Sequence, residues 1–333
     1  MKNQDSFDIC KMLLSLLVVA IHVTSKGIQS MIHPYARIAV PMFFTMGSYF
    51  LFTKMKHVNG KGRWIVVLRY CARLLTLYGI WLLLLWPITV HCRGYVMDDI
   101  GKIIHDMLMA STFRASWYLM ATVIGTMIVF VMSLFLPDWA LVIVGIMPYA
   151  LCTLLSTYAS LGMRIPLALA ASNAYPRMFT GFPASLLWIS LGKCLAKGKK
   201  SERTGMWLAM TIACFAMLKG EDWLVKTYLG QVHDNDCYIM LVPTCICLFK
   251  LVQSCDMRIN NRFFIRFAKC SSTIAYCLHA SLVHFFRNMI HVADRLGTDF
   301  KLYLLVVACC YCVAMLCTLL EDKRPFGVLK LLH

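Results

Sequence analysis

Long runs of apolar residues, separated by short polar segments, follow one another along the whole chain. About 20 apolar residues in a helix are enough to cross the hydrocarbon core of a bilayer. The pattern therefore predicts ten membrane spans, of which the seventh and eighth are the shortest. They lie at about residues 7–23, 36–53, 64–89, 117–135, 139–157, 179–196, 206–218, 238–253, 272–290 and 303–320. We expect an all-α, polytopic transmembrane bundle in which residues 1–333 form a single domain.

Composition supports a membrane protein and weakens other classes. The chain is 60% hydrophobic and only 15% charged, and its mean hydropathy is +0.68. A soluble domain of this length would have no wettable exterior left after burying its core. The formal net charge of +17 is spread over short loops and forms no basic patch interleaved with aromatic residues. We therefore expect the lipid bilayer, and no nucleic acid, as a partner. The 16 cysteines lie mostly inside apolar runs, where cysteine behaves as a small hydrophobe, so neither a disulfide framework nor a metal site is expected.

Loop charges predict the topology. With the N-terminus in the cytoplasm, the inner segments carry 16 Lys and Arg and the outer segments carry 10. Cytoplasmic loops of membrane proteins carry the excess of Lys and Arg, so both termini are predicted to be cytoplasmic. Acidic residues fall on the outer side, including Asp98, Asp99, Asp106, Glu221, Asp222, Asp234 and Asp236.

The first span carries residues that a membrane helix normally avoids. Asp8 and Lys11 lie near its start, and His22 lies eleven residues after Lys11, or about 16 Å along a helix. A Lys or Asp at the centre of a span costs roughly 2.5–3.5 kcal/mol, so such groups usually face a protein interior or a cavity. A lone His is often a satisfied polar group between helices, but its near-neutral pKa also suits removal of a hydroxyl proton.

Arg69 and Arg73 in the third span are one helical turn apart, on one face, at a depth similar to that of Lys11. Two interpretations stay open for these cations. They form a clamp for phosphate groups, since guanidinium forks match phosphate oxygens, or they extend to lipid headgroups and backbone carbonyls.

Several short motifs, in this order, resemble acyltransferase family 3 over nearly the whole chain. They are Asp8-x-x-Lys11-x10-His22, Pro41-Met-Phe-Phe44, Gly47-Ser-Tyr49, Arg69 with Arg73, Ser116-Trp117-Tyr118-Leu119, Ser272-Thr-Ile-Ala-Tyr276-Cys-Leu-His279 and Arg324-Pro325. The family pattern usually has arginine where this chain has Lys11, which keeps the positive charge and loses the bidentate fork.

The resemblance implies an integral-membrane O-acyltransferase of the inner (cytoplasmic) membrane. Its acyl donor would be cytoplasmic acyl-CoA, usually acetyl-CoA, and its acceptor a hydroxyl of a cell-surface glycan, a glycolipid or a precursor. Lys11, Arg69 and Arg73 would bind the CoA phosphates. His22 would act as general base or as an acyl-histidine relay, and the sequence does not separate these routes.

Other residues have two interpretations each. His279, with Tyr276 three residues earlier, either donates to the oxyanion or orients the acceptor, or makes a core hydrogen bond. Tyr49 and Trp117 line the acceptor entrance or anchor the helices at the membrane interface. Glu221, in a predicted outer loop, contacts a sugar or is simply solvated.

A second function class also fits an intramembrane cluster of cations. A transporter or flippase for an anionic solute would need the cations, but it would not need His22. A purely structural scaffold would leave the charged groups as an unexplained cost.

Overall fold

The structure, a computed structural model, describes residues 4–23, 32–94, 100–109, 111–198, 202–230, 236–255, 257–291, 298–323 and 326–333. Within these ranges every regular element is helical, which confirms the all-α prediction. The Arg324-Pro325 motif lies outside the described residues, as do Asp98, Asp99 and Asp234.

Ten helices in the described ranges have fourteen residues or more, and each overlaps one predicted span. They are α1 (Gln4–Val23), α2 (Ala39–Met55), α3 (Lys61–Leu84), α4 (Trp117–Met132), α5 (Asp138–Leu155), α6 (Phe182–Lys197), α7 (Thr204–Tyr228), α8 (Leu241–Ser254), α9 (Arg262–His284) and α10 (Asp299–Leu320). Shorter helices are Trp86–Arg93, Ile100–Met109, Ala159–Gly162 and Pro166–Ala174, with 3-10 turns at Met178–Thr180 and Phe326–Leu332 and a π turn at Phe285–Met289.

Five of the described helices are long and apolar enough to cross a bilayer. These are α1, α2 together with the helical segment that precedes it (Ile32–Met55), α3, α5 and α10. The chain is thus a multi-pass membrane protein. The count of ten spans and the cytoplasmic location of the termini stay predictions.

The seventh helix is longer than the hydropathy pattern predicts. We expected a span at 206–218, whereas α7 continues to Tyr228. The apolar pattern stops at Lys219 and Asp222, but the helix does not, because Asp222 forms ion pairs with Lys219 and Lys226 on the same helix. Charges that neutralise one another at three- and four-residue spacing permit the helix to extend through a polar stretch.

The helix α6 packs against α2, α4 and α5 at the centre of the bundle. Two glycines permit these contacts. A Cβ at Gly192 would collide with the Ser48 hydroxyl and the Thr45 carbonyl of α2, and a Cβ at Gly145 of α5 would lie 2.8 Å from the Cα of Leu187. Small residues let the backbones of membrane helices approach closely.

A second group consists of α1, α9 and α10, joined by a smaller apolar cluster that includes Val19, Val23, Ala275 and Val306. Packing of α1 against α9 brings the last turn of α1 beside the C-terminal half of α9. The polar residues of these two helices therefore meet inside the bundle.

Candidate active site

His22 in the last turn of α1 is exposed to a cavity of about 310 Å³. The first turns of α2, α4 and α6 form much of its wall, and α9 contributes Tyr276. We call this space the histidine cavity. Its lining also includes Arg37, Phe44, Ala115, Trp117, Tyr149, Ala184, Trp188 and Asp236. Aromatic rings and a few polar groups at the end of a helical bundle are typical of a small-molecule site.

The second histidine of the site is His279 of α9, whose ring centroid lies 4.9 Å from that of His22. The His279 side chain is fully buried. Its Nδ1 lies 2.8 Å from the carbonyl oxygens of both Ala275 and Tyr276. A carbonyl only accepts, so Nδ1 carries the proton and Nε2 carries the lone pair. This buried Nε2 has no hydrogen-bond partner among the described residues.

Tyr276 lines the cavity, and its hydroxyl donates to the carbonyl oxygen of Ala115. Ala115 has a positive φ of 64°, a conformation that costs energy for a residue with a Cβ and often occurs at functional sites. Because the phenol has one proton to donate, Tyr276 could stabilise an oxyanion only by releasing Ala115. Its catalytic role stays a prediction.

Trp117, the first residue of α4, also lines the histidine cavity. Its main-chain amide is bonded to the Ser111 hydroxyl at 3.2 Å. Of the predicted site residues, the structure therefore places His22, His279, Tyr276 and Trp117 together.

An ion pair of the cavity wall was not anticipated. Arg37 forms a salt bridge with Asp236 and lies within hydrogen-bonding distance of the Nε2 of His33, with its Nε at 3.0 Å. The sequence did contain a signal, because Arg37 falls inside the predicted span 36–53 and is itself an intramembrane cation. Asp236 was counted only as an outer acidic residue, since nothing in the sequence links it to a residue two hundred positions earlier.

Lys11 lies at the opposite end of α1 and does not line the histidine cavity. Its Nζ is 3.3 Å from the carboxylate of Asp8, which is buried, and lies 5.1 Å from the centroid of the Phe50 ring. The pair with Asp8 and the cation–π contact stabilise the charge locally.

Arg69 and Arg73 share one face of α3, and both side chains are exposed. An Arg73 guanidinium nitrogen donates to the main-chain carbonyl oxygen of His333 at 3.0 Å. Arg69 has no ion-pair partner in the described ranges. Neither arginine lines the histidine cavity.

Tyr49 also lies away from this cavity, in the second half of α2. Its ring contacts Phe7 and Phe249, and its hydroxyl lies 3.3 Å from the side-chain amide of Gln253. The structure thus separates Tyr49 from Trp117, although both were predicted at the acceptor entrance.

Glu221 and Asp222 are not in a solvated outer loop, so that expectation is wrong. Both are buried within α7. Glu221 accepts hydrogen bonds from the Tyr158 hydroxyl and from the main-chain amides of Ile239 and Met240, each at 2.8 Å. These amides precede α8, whose N-terminus carries partial positive charge, so the carboxylate fixes the start of that helix. Burial, and then the neighbouring Glu221, raise the pKa of Tyr158, which stays a donor.

In the part of the chain that the structure describes, no three His, Cys, Asp or Glu residues cluster in a way that would hold a metal ion. The chemistry available at the cavity is that of two adjacent imidazoles, a phenol and an ion-paired guanidinium.

Comparison with known proteins gives a family. The family described as an acyltransferase domain matches residues 4–320. The chain is also similar to an amino-acid racemase of Enterococcus faecalis, at 24% identity over 266 residues. That match covers 75% of this chain and only 36% of the relative, so the chain spans about a third of the relative's length. No solved structure matches the chain. The match over residues 4–320 shows that the chain belongs to acyltransferase family 3.

Proposed function

We propose that this protein transfers an acetyl or related acyl group from cytoplasmic acyl-CoA to a hydroxyl of a cell-surface glycan, a glycolipid or a precursor. The observation that carries the proposal is that His22 lines the histidine cavity and that the buried His279 ring lies directly behind it, with the ring centroids 4.9 Å apart. A neutral imidazole that faces a cavity can accept a proton from a hydroxyl group. The protein would act in the inner membrane, with its acyl donor and its acceptor arriving from opposite sides.

His22 is the proposed general base. It takes the proton from the acceptor hydroxyl as the oxygen attacks the thioester carbonyl carbon. The carbon–oxygen bond forms, the carbon–sulfur bond breaks, and the departing CoA thiolate takes the proton from His22. Proton, acyl group and thiol are thereby all accounted for.

His279 is the proposed positioning residue. Its Nδ1 proton is held by two carbonyl groups, so its Nε2 lone pair is available to an N–H group of His22. Such a bond would place the remaining lone pair of His22 toward the acceptor. Fixing one nitrogen of an imidazole in this way selects the tautomer in which the other acts as base.

The alternative chemical route is an acyl-histidine intermediate. His22 would then attack the thioester itself, and the acceptor hydroxyl would attack acyl-His22. Rapid mixing with radiolabelled acetyl-CoA in the absence of acceptor separates the two routes. Only the acyl-histidine route transfers the label to the protein.

Donor binding is proposed for Lys11, Arg69 and Arg73. Arg69 and Arg73 present guanidinium groups on one exposed face of α3, where a phosphate would replace the main-chain oxygen of His333 as the partner of Arg73. Lys11 is paired with Asp8 and would contribute less to donor binding, because its charge is already balanced.

Trp117, which lines the histidine cavity, would contact the acceptor. Tyr49 and Glu221 stay predicted substrate contacts, although neither lines that cavity.

The test is acetyl-CoA binding to detergent-solubilised protein, with wild type, Arg73→Ala, His22→Ala and the control Lys61→Gln. Lys61 is an exposed cation at the start of the same helix α3. We expect Arg73→Ala to abolish binding. We expect His22→Ala to bind normally and to transfer no radiolabel to membrane glycans, a loss of about 100-fold or more for removal of a general base.

A different function would give a different result. If acetyl-CoA does not bind, or if neither substitution changes its binding or transfer, the acyl-transfer proposal is wrong. The transporter or flippase then becomes the leading hypothesis, since it requires intramembrane cations and no base.

A further inference from the structure

A second cavity, of about 190 Å³, lies at the other end of the same helices. The histidine cavity is lined by Phe44 of α2 and Trp117 of α4, whereas this one is lined by Phe52 of α2 and Phe130 of α4. Trp117 and Phe130 are thirteen residues apart on one continuous helix, or about 20 Å. The two cavities therefore open toward opposite ends of the bundle.

Four cations converge on this second cavity, which we call the basic pocket. They are Lys56, directly after α2, Arg63 in the first turn of α3, and Lys193 and Lys197 in the last turns of α6. The side chain of Lys193 is buried, although it carries a charge. Buried lysines are rare unless they are paired or bind a ligand.

The carboxylate in contact with these cations is that of Asp138, the first residue of α5. It pairs with Lys193 and, at 2.7 Å, with Lys197. Lys56 and Arg63 instead donate to neutral groups, the carbonyl oxygens of Ala196 at 2.5 Å and Val58 at 3.1 Å. Among the residues that the structure describes, four positive charges and one negative charge leave the pocket with a net charge of three positive charges.

Extension toward lipid headgroups does not explain the positions of Lys56 and Lys193. Lysines that extend to the membrane surface point outward, with only their carbon stems against the protein. Here Lys56 is held against the main chain of α6, and Lys193 lies over the Phe52 ring at 5.7 Å from its centroid. These contacts hold the two ammonium groups against residues that line the pocket, whose volume is about 190 Å³.

We propose that the basic pocket binds a phosphate group. A phosphate has several acceptor oxygens and up to two negative charges, so one group can satisfy Arg63 and two lysines together. A carboxylate offers one charge and would leave the rest unbalanced. The phosphate belongs either to a nucleotide in solution or to the headgroup of an anionic lipid. Binding of phosphate here does not depend on acyl transfer at the histidine cavity, so either proposal can fail without the other.

The test uses the full chain in nanodiscs of phosphatidylcholine and two probes. The soluble probe is adenosine 3′,5′-bisphosphate, titrated calorimetrically. The lipid probe is phosphatidylglycerol, mixed into the nanodisc and counted as retained lipid by native mass spectrometry. The pocket variants are Lys56→Gln and Arg63→Gln. Their controls are Lys54→Gln and Lys61→Gln, two residues away in each case, exposed and outside the pocket.

We expect one probe to bind wild type and both controls equally, and to bind each pocket variant at least about tenfold more weakly. Binding of the bisphosphate identifies a nucleotide site, and binding of phosphatidylglycerol identifies a lipid site. The proposal is overturned if neither probe binds wild type or if the pocket variants bind as wild type does. It is also overturned if the controls lose as much affinity as the pocket variants, because general surface charge then explains the binding. Thermal unfolding of each variant checks that it is folded.

Discussion

His279 holds its Nδ1 proton against two carbonyl groups while its ring lies 4.9 Å from the ring of His22. The two histidines come from opposite ends of the chain, on helices α1 and α9 that pack directly against each other. One imidazole is exposed to the cavity and the other is fully buried behind it. In this arrangement His22 can contact a substrate, whereas His279 can act only through His22.

The first prediction concerns His279. Replacing it with Ala removes the lone pair proposed to orient His22, so we expect transfer to fall by about tenfold or more while acetyl-CoA binding is unchanged. The pH profile of the residual activity should also shift, since the environment of the base has changed. The measurement is radiolabel transfer across a pH series, with His279→Gln as the conservative variant.

A matched control for His279 is His284→Gln. His284 lies on the same helix, has its ring centroid 5.6 Å from that of His91 in a tilted arrangement, and does not line the histidine cavity. Equal losses in both variants, with an unshifted pH profile, would show that His279 serves only packing.

The second prediction concerns the salt bridge between Arg37 and Asp236. Both side chains are largely buried, at 23% and 14% exposure. Asp236→Asn leaves the guanidinium without its carboxylate, which we expect to lower the free energy of unfolding by about 2–3 kcal/mol, somewhat less than for a fully buried pair. The double variant Arg37→Gln/Asp236→Asn should recover part of this loss. Thermal unfolding of wild type, the two single variants and the double variant measures the coupling between the two residues. Strict additivity of the two single effects would contradict this prediction.

The third prediction concerns Glu221. In Glu221→Gln one carboxylate oxygen is kept and the other is replaced by an NH2 group, which cannot accept a hydrogen bond from the main-chain amide that it faces. The substitution also removes the negative charge at the start of α8. We expect the free energy of unfolding to fall by about 1–2 kcal/mol. Glu202→Gln, at an exposed position, is the control and should change little. If Glu221→Gln is as stable as wild type but loses transfer, Glu221 contacts the substrate instead.

The fourth prediction concerns Gly145. An Ala there would place its Cβ against main-chain atoms of α6, so the helices must separate, at a cost of about 1–3 kcal/mol. Gly79→Ala is the matched control, because a Cβ at Gly79 meets nothing within 4 Å. Helix propensity alone makes that control neutral or slightly stabilising. The lowering of the unfolding temperature should therefore be confined to Gly145→Ala.

The hydropathy pattern determined the helical architecture, since every predicted span overlaps a helix of the bundle. The pattern failed where polar residues pair within a helix. Hydropathy predicts a loop from Lys219 to Lys226, but the ion pairs of Asp222 within the helix keep this stretch helical. Glu221, which bonds main-chain amides at the start of α8, is buried in it. A hydropathy scale counts each charged residue as unfavourable in a membrane span and contains no information about whether that charge is ion-paired.

The order of short motifs along the chain pointed to acyltransferase family 3, and the match over residues 4–320 confirmed it. Which side chains meet was decided by helix packing alone. Residues 257 positions apart, His22 and His279, become neighbours because α1 packs on α9. Tyr49 and Trp117, for which one role was predicted, lie apart because they occupy different ends of the bundle. Spacing along a helix fixes the depth and face of a residue, but contacts between helices depend on how small residues and apolar surfaces fit together in three dimensions.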